Sequence, residues 1–256
     1  MKLPRVWKLA GAAAVVAVVI GASAYGLIAV TRPQPLGLPS PHTQTRASTP
    51  SPNDPLAGVC RRPTGSRASA TGPAGMWVVQ PGSQAGYRAH EKFDKLPSPN
   101  VAVARTDRVG GWLLVSDDPG STTIASGCVG VELASLRSID KLPGLNTSDR
   151  DQTVRDFLNT SVYPFAVFTV ASAPLTSTAA ATRIHVRVTG ELELNGIQRR
   201  AAFDLVVRLD GNQVSAAGST TVLVKNYGIE VPQGANGFVS VDPNITLEVS
   251  LMLTKQ

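Results

Sequence analysis

The segment that most restricts the fold is RIHVRVTGELELNGIQRRAAFDLVVRLDG, residues 183–211. Its first half places apolar residues at alternate positions (184, 186, 188, 192 and 194) and polar residues between most of them. A period of two is typical of a strand with one buried face and one wet face. Asn195-Gly196 is a strong signal for a hairpin turn, and the alternation resumes as far as Asp210-Gly211. The segment therefore predicts two long antiparallel strands.

The same alternation recurs along most of the chain from Met76 to its end. It predicts further strands near residues 76–80, 84–93, 101–116, 122–136, 163–171, 214–225 and 245–253. No clear crossover helix separates neighbouring strands, so the pattern predicts an all-β fold of about eight antiparallel strands. A sandwich and a closed up-and-down barrel both fit this pattern. A barrel has the advantage that it leaves no strand edge unpaired.

One stretch inside this domain lacks alternation. In residues 137–162, Val154, Phe157 and Leu158 are spaced as on one face of a helix. We predict a short inserted helix over residues 150–159. Its apolar face would cover one end of the barrel, and its charged face would look at water.

The N-terminal segment predicts export. Residues 9–30 are uncharged and apolar, and twenty-two residues in a helix cross the hydrocarbon core of a bilayer, which is about 30 Å thick. Lys2, Arg5 and Lys8 precede this stretch, which places residues 1–8 in the cytoplasm by the positive-inside rule. We predict an uncleaved single-pass anchor in the cell membrane. The alternative is a signal peptide cleaved after "ASA" at 22–24, and both alternatives put the C-terminal domain outside the cytoplasm.

Residues 31–75 are rich in Pro, Ser and Thr and show no apolar period, which predicts a disordered linker before the domain at 76–256. The formal charge of +6 is confined to the N-terminal part of the chain. Residues 1–75 carry eight Lys or Arg and one acid, whereas residues 76–256 carry sixteen Lys or Arg and seventeen acids. The domain therefore has no charge surplus for a phosphate backbone, and we expect no nucleic-acid partner.

Several motifs in the domain occur in the order found in a known family. They are Trp77, "GSQAGYRAHE" (82–91), "RVGGWLLV" (108–115), Arg150-Asp151 before "DFL" (156–158), "YPFAVF" (163–168), "GELELNGIQRRAAFDLVV" (190–207) and "GSTTVLVKNYGI" (218–229). This order resembles the YceI-like family of exported polyisoprenoid-binding proteins, and within it the actinobacterial, membrane-anchored type. The resemblance covers residues 76–256 and implies a lipocalin-like barrel.

The resemblance also implies a ligand, namely an isoprenoid lipid such as a polyprenyl quinone or polyprenyl phosphate. Strand parity and position near the predicted helix give the candidate ligand-binding residues, which are Tyr87, Leu113, Val131, Phe157, Phe168, Val188, Leu192, Phe203, Leu205 and Tyr227. Because an eight-stranded barrel is often filled by its own side chains, each of them is also an ordinary core candidate. The alternative function is a ligand-free interaction module of the cell envelope. A packed interior and an apolar outer patch near Trp112 would favour that alternative.

The sequence says less about the head group of the ligand than about its isoprenoid chain. No cluster of Lys or Arg lies on an inferred interior face, which favours a neutral, quinone-like head. Arg150 and Arg155 near the predicted helix are the candidates for pairing with a phosphate. Solvated helix charges are the simpler explanation of these two residues.

Cys60 and Cys128 are the two cysteines of a chain that we expect to meet an oxidising compartment. Alternation along "TIASGCVGVEL" puts Cys128 on the outer face of its strand, where the linker can reach it. We therefore predict a Cys60–Cys128 disulfide, the alternative being two unrelated thiols.

We find no sequence signal for catalysis. His42, His90 and His185 have no partners at metal-ligand spacing, and the chain contains no nucleophile elbow and no phosphate-binding loop. We interpret His90-Glu91 as a surface pair. The sequence predicts a binding protein without cofactor, metal or enzymatic activity, and it identifies no protein partner.

Overall fold

The computed structural model describes residues 33–39, 54–63, 72–93, 100–118, 121–141, 146–176, 182–231 and 239–256. Its strands are β1 Gly75–Val79, β2 Gln84–Phe93, β3 Asn100–Thr106, β4 Val109–Asp118, β5 Ser121–Glu132, β6 Arg137–Ser138, β7 Phe165–Leu175, β8 Arg183–Leu194, β9 Ile197–Asp210, β10 Gln213–Leu223, β11 Val239–Val241 and β12 Asn244–Lys255. Its helices are α1 Pro55–Val59 and α2 Thr147–Phe157, with 3₁₀ turns at Leu133–Ser135 and Val224–Tyr227.

The strands form a closed, eight-stranded antiparallel barrel, which distinguishes between the two all-β architectures that the alternation allowed. β1 and β2 lie consecutively along β12 and act as one long bent strand, and β3 and β4 form a second one beside them. The sheet then runs through β5, β7, β8, β9 and β10 back to β12. Pairing of β1 with β12 closes the ring, so the barrel has no open edge between these two strands with which another chain could pair.

The predicted hairpin is present, and Leu194 pairs with Ile197 on either side of the predicted turn. Asn195 and Gly196 form the turn between β8 and β9 with φ of 50° and 71°, the positive values that a two-residue turn of this type needs. The strand predicted over residues 101–116 is instead interrupted at Asp107 and Arg108. This interruption lets β3 and β4 pair with β2 and β1 around the curve of the barrel.

The predicted inserted helix is also present, as α2. It begins a few residues earlier than the apolar spacing indicated because Asn146 caps it, accepting a hydrogen bond from the backbone N–H of Ser148 at 3.0 Å. It lies at the end of the barrel where β7 begins, which we call the helix end. The opposite end, where β1 begins and β12 finishes, is the far end.

The linker prediction is wrong for two stretches of residues 31–75. Residues 54–63 pack on the outer wall, where Leu56 is buried against Gly110 and Gly130, a glycine pair facing each other across β4 and β5. Gly37 contacts the wall as well, accepting a hydrogen bond at 2.8 Å from Ser250. Composition did not reveal that the barrel surface holds these two stretches in place.

A disulfide joins Cys60 to Cys128, with a Cα–Cα distance of 5.5 Å, as the outward position of Cys128 led us to expect. The indole of Trp112 lies beside it and donates a hydrogen bond to the carbonyl of Arg61 at 3.1 Å. Trp112 is on the outer face, and it is buried together with Cys60, Met76 and Val78. The linker therefore covers the outer apolar patch that the sequence left unexplained.

The predicted anchor at residues 9–30 lies outside the described residues. Within the part of the chain that the structure describes, no helix combines the length and the apolar character needed to span a bilayer.

Candidate functional site

The barrel interior contains a cavity of about 530 Å³. It is lined at the helix end by residues such as Leu192 and Ile245, and towards the far end by residues such as Trp77 and Leu253. The cavity therefore runs along the barrel axis instead of forming a pocket on one side. Its volume falls within the range of about 300–1,000 Å³ that is common for small-molecule sites.

The interior stays hollow because most of its side chains are Val, Leu, Ile and Ala. Phe168 and Phe203 form one edge-to-face pair with ring centroids 5.0 Å apart. Ala89, Ala102 and Ala216 line the cavity and leave space where larger residues would close it. The low aromatic content of the chain is consistent with this hollow interior.

The structure brings nine of the ten predicted ligand-binding residues to the cavity wall. They are Tyr87, Leu113, Val131, Phe157, Phe168, Val188, Leu192, Phe203 and Leu205. Tyr227 is the exception, since it is buried in the core and does not line the cavity. The reason is local: the 3₁₀ turn Val224–Tyr227 follows β10, and strand parity no longer applies beyond Leu223.

The apolar face of α2 contributes Val154, Phe157 and Leu158 to the cavity, as predicted. The prediction that the charged face of this helix looks at water is wrong for two residues. Asp151 accepts hydrogen bonds from the backbone N–H and the hydroxyl of Ser138 at 2.9 and 2.6 Å. Arg150 is turned inward beside it, and its side chain is only 14% exposed.

Arg150 is the centre of a buried polar cluster at the helix end. Its Nη1 and Nη2 atoms donate to the two carboxylate oxygens of Asp140 at 2.9 and 2.6 Å, and its Nε atom donates to the hydroxyl of Ser138 at 3.0 Å. Asp140 also accepts a hydrogen bond from the backbone N–H of Val103 at 2.8 Å. This bidentate pair fixes α2 over the opening of the barrel.

Two further polar residues of the helix end, Tyr87 and Glu91, face the interior from β2. Glu91 lies with a carboxylate oxygen 3.8 Å from Nη1 of Arg150, and it accepts a hydrogen bond from Asn100 at 3.2 Å. Our interpretation of His90-Glu91 as a surface pair is therefore wrong for Glu91, which is buried, while His90 is exposed. Parity with Tyr87 and Ala89 was a signal that pointed Glu91 inward. Asp140 lies in no regular element and gave no such signal.

Burial raises the pKa of both inward-facing groups of β2. For Glu91 the desolvation of the carboxylate is the main cause; Arg150 and the hydrogen bond from Asn100 oppose it, and the charge of Asp140 adds to it. For Tyr87 desolvation again dominates; Arg150 opposes it, and nearby carboxylates reinforce it. The Tyr87 hydroxyl therefore stays protonated throughout the neutral range.

We expect Glu91 to make the folded state less stable as the pH rises. Between its unfolded pKa of about 4.3 and its raised folded pKa, the folded chain binds more protons than the unfolded chain, so the free energy of unfolding falls with increasing pH. The variant Glu91→Gln should lack this contribution to the pH dependence of the free energy of unfolding. Urea unfolding of both proteins from pH 4 to pH 8 measures the difference between the two pH dependences. Equal slopes for the two proteins would contradict the prediction.

Within the described ranges, no three His, Cys, Asp or Glu residues lie close enough together to hold a metal ion.

Comparison with known proteins identifies the family of the chain. The sequence model of the YceI-like domain matches residues 83–253, which is most of the chain. The chain belongs to the YceI-like family. The match begins within the first long strand of the barrel and ends within the last one.

The solved structures that are similar to this YceI-like chain share little sequence identity with it. A polyisoprenoid-binding domain from Saccharophagus degradans, implicated in plant cell wall breakdown, is 15% identical with a TM-score of 0.53, covering 71% of this chain and 98% of that one. BcnA from Burkholderia cenocepacia is 15% identical with a TM-score of 0.47, covering 66% and 95%. Comparison with curated proteins gives no significant match.

Proposed function

We propose that this YceI-like protein binds an isoprenoid lipid inside its barrel and carries or sequesters it without altering it. The observation that carries the proposal is the continuous apolar cavity along the barrel axis. The similar domain from Saccharophagus degradans is described as polyisoprenoid-binding, which supports the same ligand class here. A polyprenyl quinone and a polyprenyl phosphate are the candidates.

The cavity has close to the size that such a ligand needs. One enclosed five-carbon unit contributes about 3 kcal/mol, against binding costs of about 4–15 kcal/mol. Micromolar affinity, about −8 kcal/mol, thus requires about four units at the lower end of these costs, and more at higher costs. At about 30 Å³ for each water-sized group, the cavity of about 530 Å³ accommodates about eighteen carbon atoms, or between three and four units. A longer chain would extend out of the barrel.

The exposed apolar side chains support exchange of the ligand at the helix end. Among the described residues, the large hydrophobic side chains that remain exposed are Ile139, Phe157, Val162, Tyr163 and Leu223. Each of them belongs to α2 or to a connection or strand terminus at the helix end. An apolar chain that leaves the cavity there meets an apolar rim instead of bare water.

The two features that would favour the alternative, a ligand-free interaction module, are a packed interior and an exposed apolar patch at Trp112, and the structure has neither. The interior is hollow, and the patch at Trp112 is covered by residues 54–63 of the same chain.

Residues 9–30 support the further proposal that the barrel is tethered, as a single-pass protein, on the outer side of the cell membrane. A tether of this kind would keep the barrel close to the bilayer in which isoprenoid lipids reside.

Filling the cavity tests the proposal. Ala216 is buried on the cavity wall, and the variant Ala216→Phe puts a ring into space equivalent to about one five-carbon unit. Losing the contacts of one unit, about 3 kcal/mol, should weaken binding of a polyprenyl quinone about a hundred-fold. Native mass spectrometry of the delipidated protein titrated with the quinone measures this change.

Ala202→Phe is the matched control, because Ala202 precedes the inward-facing Phe203 and lies on the outer face of β9. Its affinity should equal that of the wild type. Wild-type protein that takes up no polyprenyl lipid would refute the function, and equal binding by the two phenylalanine variants would refute the barrel interior as the site.

A further inference from the structure

Given the lipid-binding function proposed above, we propose that this chain selects isoprenoid lipids with a neutral head group that accepts a hydrogen bond, a carbonyl or hydroxyl, and that the Tyr87 hydroxyl is the donor that recognises it. The class includes quinones and polyprenols and excludes phosphates and diphosphates. Three features of the helix end carry this choice: the available cations, the surrounding charge and the hydroxyl of Tyr87.

The first feature is that the described residues of the cavity wall offer a phosphate no available cation. Arg150 is the only Lys or Arg among the described residues lining the cavity. Its guanidinium is held by both carboxylate oxygens of Asp140 and by Ser138. Arg155, the other candidate from the sequence, bonds to Gln152 on the exposed side of α2 and does not line the cavity. Three of the five N–H donors of Arg150 are taken, and the carboxylate of Asp140 already neutralises its charge, so a phosphate would gain little from pairing with it.

The second feature is the sign of the charge around the opening. Among the described residues, Arg150, Glu91, Asp151 and Asp140 all act electrostatically on Tyr87, so one positive group stands against three carboxyl groups there. Even with Glu91 protonated, two carboxylates remain against one guanidinium. A phosphate or diphosphate would therefore enter a region of net negative charge, whereas a neutral head group would not be repelled.

The third feature is an unused hydrogen-bond donor in the right place. Tyr87 lines the cavity at the helix end, and its ring packs against Leu133 and Leu136. No described residue receives a hydrogen bond from its hydroxyl, although its neighbours Arg150 and Asp140 bond to each other. A donor on a residue of the cavity wall, with no partner among the described residues, is a suitable contact for a ligand oxygen.

Three ligands test the inference: a polyprenyl quinone, the polyprenyl diphosphate of equal prenyl length, and squalene as a prenyl hydrocarbon without a polar head. The wild-type protein should bind the quinone at least about ten-fold more tightly than the diphosphate. Tyr87→Phe should weaken quinone binding about five-fold, the effect of one lost hydrogen bond, and leave squalene binding unchanged. Glu91→Gln, which removes one carboxylate, should reduce the difference in affinity between the quinone and the diphosphate.

Tyr227→Phe is the matched control, since Tyr227 is a buried tyrosine near the same end of the barrel and does not line the cavity. It should bind all three ligands as the wild type does. Diphosphate binding as tight as quinone binding would overturn the inference and leave the lipid-binding function standing. An equal loss of affinity for quinone and for squalene in the Tyr87→Phe variant would overturn the role of the hydroxyl. Failure of all three ligands to bind would instead refute the proposed function itself.

Discussion

Replacing Arg150 by alanine should lower the free energy of unfolding by about 3–5 kcal/mol. The variant leaves the carboxylate of Asp140, which is only 5% exposed, without the guanidinium that neutralises it. It also removes the hydrogen bond from Arg150 to Ser138, so that only Asp151 still connects α2 to that serine. Urea unfolding at neutral pH measures the loss.

The residue Arg155 provides the control on the same helix. It bonds only to Gln152 within the helix, and Arg155→Ala should change the stability by no more than about 0.5 kcal/mol. Adding Asp140→Asn to the Arg150→Ala variant should recover part of the lost stability, because an uncharged amide is less costly to bury than a lone carboxylate. Equal effects of the two arginine variants would contradict the buried ion pair.

Removing the Cys60–Cys128 disulfide should cost about 4 kcal/mol of stability. The bond closes a loop with a sequence separation of 68, and in the chain-entropy account a loop of this size restricts the unfolded state by about that amount. The double variant Cys60→Ser and Cys128→Ser should unfold at a correspondingly lower urea concentration than the oxidised protein. It should still bind lipid, since the bond lies on the outer wall.

A reducing agent separates the effect of the bond from that of the substitutions. It should destabilise the wild-type protein towards the level of the double variant and leave the double variant unchanged. Two free thiols in the intact mass of the oxidised protein would contradict the disulfide. A loss below about 1 kcal/mol would mean that the contacts of Leu56 and Trp112 hold residues 54–63 on the barrel without the bond.

The strands and the cavity-lining residues could be predicted from the sequence because the pleat of a strand is a local property. Alternation along 183–211 gave both strands of the hairpin, and the same parity placed Val188, Leu192, Phe203 and Leu205 on the cavity wall. Tyr227 lies beyond the end of β10, where a 3₁₀ turn resets the direction of the side chains. Parity carries information only as far as the strand continues.

The sequence by itself determined the all-β class, the outward position of Cys128 and the apolar character of the interior. Only the tertiary structure decided that the interior is hollow and that residues 54–63 are docked on the wall. It also decided that Arg150 forms an ion pair with Asp140 instead of facing water. The physical reason is that side-chain spacing along one strand fixes which face a residue occupies. The space left between eight strands, and the charge that meets a given arginine, depend on contacts between residues far apart in the chain.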